Sequence, residues 1–242
     1  MTVATTVLLG VAAFLVGFSK TSIGGLASVS VAIFAGLLPA RASTAAILLL
    51  LIIGDLVAVW HYRHDCDWSE LRRLIPAVLP GLALGALFLA AVGDELLRRV
   101  IGVLLVVMAL LQLLLRRRPP ARLASGRAAV AVAGLAAGFA TMVANAAGAV
   151  MTVYLVSQGM DKWRFLGTGA VFFFGVNLCK VPFSASLGLF DAATLTRTFA
   201  LAPLVLLGGW AGLRVARRLS QVRFDQAVLS ASVLAALALM AR

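Results

Sequence analysis

Six stretches of the chain, at about 42–62, 73–92, 96–115, 165–187, 197–215 and 224–241, run for about 20 residues each with few charges. An α-helix of that length crosses the ~30 Å hydrocarbon core of a bilayer. Backbone groups in hydrocarbon must find their hydrogen bonds internally, and long apolar runs do so as helices. Composition agrees, with 62% hydrophobic and 12% charged residues; a soluble domain carries about 25% charged residues. The expectation is an all-α polytopic membrane protein forming one integral membrane domain over residues 1–242.

The net charge of +12 does not indicate nucleic acid, because the arginines cluster in short gaps between apolar runs. Cys66 and Cys179 form no CxxC pair and no disulfide framework. The start lacks a basic region, so Val3 onward reads as retained membrane sequence rather than a cleaved signal.

Two further apolar regions, Val3 to Leu38 and Ala128 to Ser157, are interrupted by small and polar residues. The interruptions are Ser19-Lys20-Thr21-Ser22-Ile23-Gly24-Gly25 and Thr141-Met142-Val143-Ala144-Asn145. Two full spans and a turn need about 40 residues, and the second region is shorter. Each region therefore reads as a hairpin of two shorter helices broken within the membrane, where such backbone must be buried or line a polar cavity.

The halves of the chain correspond. Gly17-Phe18 matches Gly138-Phe139, Asp55 matches Asn177, and Pro80 and Gly85 match Pro203 and Gly208, all at offsets of 121 to 123 residues. Small-xxx-small packing patterns occur in both, at Gly81/Gly85 and Gly208/Gly212. Repeat 1 is expected over about 3–115, a linker over 116–127 and repeat 2 over about 128–241, each repeat a broken-helix hairpin plus three transmembrane helices. With the linker placed in the cytoplasm, inner segments carry 14 Lys and Arg residues, including Arg63, Arg72, Arg73, Lys162, Arg164, Arg214 and Arg217. Outer segments carry 5: Arg41, Arg98, Arg99, Arg197 and Arg242. This bias fits the positive-inside rule. Three crossings per half make the repeats inverted, with both termini extracytoplasmic.

Lys20 and Lys180 remain within the membrane, together with one carboxylate, Asp55. Intramembrane ionisable residues are functional candidates by default. Inverted repeats with broken helices are a transporter design with a midplane site. Ser19, Thr21 and Ser22 suit the N-cap of a helix starting in mid-membrane, and Gly24-Gly25 allow close backbone approach. A helix N-terminus beside Lys20 favours an anion. Asn145 is the capping candidate of the second half, and Asn177 and Lys180 lie on the span after it. Other roles compete. Lys20 could pair with Asp55 or snorkel; Lys180 could reach headgroups; Asp55 is either a proton-coupling site or a counter-ion; Asn177 could only join helices.

The segment HYRHDCDW holds His61, His64, Cys66 and Asp67 but no second ligand pair, so it reads as a loop at the membrane edge rather than a metal centre. No metal or other cofactor is expected. Trp60, Tyr62, Trp68 and Trp163 sit at span ends as interfacial anchors. No nucleophile elbow, HExxH or phosphate loop occurs.

The stretches GDLVAVWHYRHDCDWSELRRLIPAVLPGLALGALFL and FLGTGAVFFFGVNLCKVPFSASLGLF, with the opening GFSKTSIGGLAS, resemble the TauE/SafE sulfite exporter family over about residues 5–240. The resemblance implies a bacterial inner-membrane transporter, usually an exporter, of sulfite, sulfoacetate and related organosulfonates. It places Gly17, Lys20, Gly24 and Gly25 in the first hairpin, Asp55 on the next span, and Asn177, Lys180 and Pro182 in the mirrored position. Many members have a longer glycine run in the first hairpin, where this chain has only Gly24-Gly25, and the second hairpin keeps Gly148 but few other glycines. The expected partners are a small anion and the lipid bilayer, not nucleic acid, with room for a homodimer. Two other readings stand beside transport: an intramembrane enzyme of sulfur or lipid metabolism, and a non-transporting assembly partner. The first would need a nucleophile with a base, or metal ligands, at membrane depth. The second would not need polar breaks.

Overall fold

The structure, a computed structural model, describes residues 2–22, 26–117 and 127–220. Among the described residues nine α-helices are formed: α1 (Val3–Thr21), α2 (Leu26–Leu37), α3 (Ala40–Tyr62), α4 (Trp68–Ala91), α5 (Asp94–Arg117), α6 (Arg127–Ala144), α7 (Gly148–Ser157), α8 (Lys162–Ser186) and α9 (Ala192–Arg218). A single 3₁₀ turn, Arg63–Asp65, links α3 to α4. No strand occurs among the described residues. Five helices there are long and apolar enough to cross a membrane: α1, α3, α4, α8 and α9. The expected 96–115 span falls within α5, and the 224–241 span lies outside the described residues.

Both interrupted regions form hairpins, but not of the expected proportions. In the first, α1 has 19 residues and is by itself a candidate span, whereas α2 has 12. α1 extends through Ser19-Lys20-Thr21, residues expected in the break. Side-chain bonds sustain its last turn: Ser22 Oγ donates to Phe18 O (2.6 Å), and Tyr62 Oη caps the end by donating to Thr21 O (2.8 Å). α2 packs on α1, with Ser30 Oγ donating to Ala12 O at 2.8 Å. In the second hairpin the apolar part of α6, Val130–Ala144, and the 10-residue α7 are both shorter than a full span.

Among the described residues four carboxylates cap helix starts, where N–H groups lack partners. Asp67 accepts from Ser69 N and Glu70 N, Asp161 from Trp163 N and Arg164 N, and Asp191 from Thr194 N. Asp94, from α5, accepts from Ala40 N and Arg41 N at the start of α3. Cations complement helix ends: Arg41 donates to Leu89 O and Val92 O of α4, and buried Lys162 to Ala216 O and Leu219 O at the end of α9.

The most extensive helix pairs are α4 with α6 and α1 with α9. Each joins a helix from the first half to one from the second. Glycine makes this possible. A Cβ at Gly17 would lie 1.9 Å from Val205 O, and one at Gly208 2.0 Å from Phe14 O. In the other pair, a Cβ at Gly81 would lie 2.3 Å from Leu135 O, and one at Gly138 2.2 Å from Val78 O. Backbones this close leave no room for a side chain. α3 and α8 pack together and are the most buried of the five candidate spans. Apolar side chains such as Val103, Leu87, Phe199 and Leu207 point outward, as on a lipid-facing surface.

Candidate functional site

The polar residues of the spans converge on α3 and α8. The stem of Lys20 passes over Gly54, where a Cβ would come within 3.1 Å of Lys20 Cγ. Lys20 Nζ then meets Asp55 Oδ1 at 2.7 Å, with the Phe173 ring centroid 4.3 Å away. Asp55 Oδ2 accepts from Asn177 Nδ2 at 2.7 Å. Asn177 Oδ1 in turn accepts from Lys180 Nζ at 3.2 Å, and Lys180 also donates to Thr141 Oγ1 (3.3 Å) and Asn145 Oδ1. Asn145 Nδ2 reaches Thr44 O at 3.2 Å. One polar chain thus links the first hairpin, α3, α8 and the second hairpin. With both lysines and Asp55 ionised, it carries one net positive charge.

A cavity of about 70 Å³ lies against this chain. Its walls include Ser19, Lys20 and Ser22 from the first hairpin, Thr141 and Asn145 from the second, and Asn177 from α8. Met151, Leu155, Phe165 and Phe173 contribute apolar wall. Asp55 and Lys180 stand behind the wall and are essentially inaccessible.

Two capping expectations are corrected. Only Ser19 caps α2, accepting from Ala27 N at 3.2 Å. Thr21 faces α9, donating to Gly209 O at 2.8 Å, and Ser22 donates back to its own helix. Thr21 is fully buried on the α9 side of α1 and is not part of the cavity wall that Ser19 and Lys20 line. Asn145 ends α6 rather than starting α7: its φ of 51° is left-handed, a conformation asparagine tolerates, and α7 begins at Gly148 after Ala147, which gives no side-chain cap. Gly24 and Gly25 lie outside the described residues. Lys180 is held between helices instead of extending to headgroups.

The cluster HYRHDCDW is drawn apart. His61 Nε2 contacts Arg217, His64 accepts from Arg63 Nε, and Asp67 caps α4 and pairs with Arg164.

The chain matches the family described as "Sulfite exporter TauE/SafE" over residues 9–239. It belongs to the TauE/SafE family. The match covers nearly the whole chain of this TauE/SafE protein, and the family is one of membrane transporters. No curated protein and no solved structure is significantly similar to it.

Thr141, Thr152 and Phe173 also line the cavity of this TauE/SafE protein, and Tyr62, expected as an interfacial anchor, is buried against the end of α1; the sequence expectations did not place them there. Thr141 lay inside the interruption already singled out, four residues before Asn145, and that helical spacing was its available signal. Phe173 stands in an apolar run, and nothing local distinguishes it from its neighbours.

Proposed function

We propose that the protein carries small anions across the bacterial inner membrane, with sulfite or a short organosulfonate as substrate and export as the direction. The observation that carries this reading is the small cavity between two helix breaks, backed by two lysines and one carboxylate. A volume of about 70 Å³ exceeds the ~10–15 Å³ that one water needs and falls well below the ~300–1,000 Å³ of sites for drug-sized ligands. It suits an inorganic anion or one with a short carbon stub. The substrate would meet Lys20, Ser19, Asn145 and Asn177 at the wall, with Asp55 as the counter-ion it competes against for Lys20.

Alternating access would come from one repeat moving against the other. In support, the two breaks meet α3 near opposite ends. Thr21 O is bonded by Tyr62 at the end of α3, and Asn145 bonds Thr44 near its start. Such an arrangement suits inverted hairpins opening to opposite sides; the Lys and Arg bias supports placing both termini outside the cytoplasm. Flux of labelled sulfite and a panel of organosulfonates into proteoliposomes tests the reading, with inorganic sulfate and carboxylates as controls. Saturable sulfite or organosulfonate flux is expected; its absence for every anion would overturn the assignment.

A further inference from the structure

We infer, resting on the anion-transport reading, that Lys180 makes the part of the cavity wall it bonds donor-only, so that the site favours anions bearing no proton. The argument begins with hydrogen-bond inventory. A lysine ammonium has three N–H donors and no acceptor. Lys180 Nζ has three oxygen partners, on Thr141, Asn145 and Asn177. Its donors are matched one to one.

The amide orientations follow from chemistry. Asn177 lies between a carboxylate oxygen of Asp55, which accepts, and Lys180, which donates. Its nitrogen must face Asp55 and its oxygen Lys180. Asn145 lies between Thr44 O, a backbone acceptor, and Lys180, so it is fixed in the same sense. A flipped amide would set donor against donor and acceptor against acceptor at either position.

What remains is free for a ligand. Each amide nitrogen has spent one N–H, on Asp55 or Thr44, and keeps a second. Thr141 accepts from Lys180 through its oxygen and keeps its O–H hydrogen. Ser19 accepts from Ala27 N and likewise keeps its hydrogen. All four residues line the cavity, and Lys180 itself does not; Ser22, also in the wall, has given its hydrogen to Phe18 O and is not among Lys180's partners. Lys180 is therefore a positioning residue: it turns three neighbouring side chains so that they offer hydrogens to the cavity. A sulfonate, or sulfite without a proton, has only acceptor oxygens and satisfies such donors. An anion of the same shape that carries an O–H meets donor with donor, leaving buried groups unpaired.

Methanesulfonate and the methylphosphonate monoanion form the decisive pair, since they share charge and approximate shape and differ by that one proton. Binding to the purified full-length protein would be measured by calorimetry at a pH where methylphosphonate holds one proton. Methanesulfonate should bind about 10- to 150-fold more tightly. Lys180→Gln, whose amide can rotate and accept as well as donate, should reduce the ratio to about threefold or less. Lys180→Arg, again donor-only, should keep the preference for methanesulfonate. A merely structural lysine would lower both affinities together and leave their ratio unchanged. Should Lys180→Gln fail to fold, Thr141→Val removes one cavity donor and one of Lys180's three partners while keeping the lysine, and must also lower the ratio. Equal binding of the two anions by the wild type overturns the donor-only inference while leaving anion transport standing. Binding of neither anion, with no competition by sulfite, overturns both.

Discussion

Lys20 Nζ and Asp55 Oδ1 stand 2.7 Å apart between α1 and α3, and neither side chain is more than a tenth exposed. Removing one partner of such a pair leaves an uncompensated buried charge, at a cost of about 3–5 kcal/mol. Lys20→Gln and Asp55→Asn should each lower thermal stability in detergent by that order. The double variant should recover much of the loss, because neither charge then remains. A stable Lys20→Gln protein with unchanged anion affinity would assign the pair no role in folding or in binding.

The glycine contacts predict a sharp positional contrast. Gly17→Ala, Gly208→Ala, Gly81→Ala and Gly138→Ala each place a Cβ within 2.3 Å of a backbone oxygen. Each should sharply reduce the yield of folded protein on size-exclusion chromatography. Gly102→Ala meets nothing within 4 Å and should be neutral or stabilising by about 0.5–1 kcal/mol, the helix-propensity gain.

Asp67 should leave a signature at low pH. Its carboxyl is held below the ordinary value of 3.8, chiefly by the Ser69 hydroxyl, with the Glu70 and Ser69 N–H groups and Arg164 adding to the effect against partial burial. The folded protein thus favours the carboxylate. Its contribution is complete at pH values above the ordinary carboxylate range and disappears as pH falls through the lowered value. The melting-temperature difference between wild type and Asp67→Asn should be constant near neutrality and shrink below about pH 4. A difference that grows on acidification would exclude this role.

The proposed orientation is checked by cysteine accessibility in intact cells, in a variant lacking Cys66 and Cys179. A cysteine at Arg122 should resist an impermeant reagent until the membrane is permeabilised. One at Arg197 should react at once. The reverse pattern would place the termini in the cytoplasm and remove the inner assignment of the 14 positive residues.

The sequence by itself determined the solvent this protein folds in, the approximate position of the apolar helices among the described residues, and the polar residues near their interruptions. Hydropathy is a local sum, and a charge in an apolar run is conspicuous without any neighbour. It also brought Ser19, Lys20, Ser22, Asn145 and Asn177 to notice, all of which line one cavity. Tertiary structure alone decided the partners. Asp55 takes Lys20 because α1 crosses α3 at Gly54; Lys180 takes three neutral oxygens because α8 lies beside the end of α6. Helix rotation turned Thr21 away to Gly209, although it adjoins Lys20 in the chain. The length of α1 was settled by Tyr62, 41 residues downstream, whose hydroxyl satisfies its last turn. Such contacts depend on how helices pack and rotate against one another, which no local window of residues encodes.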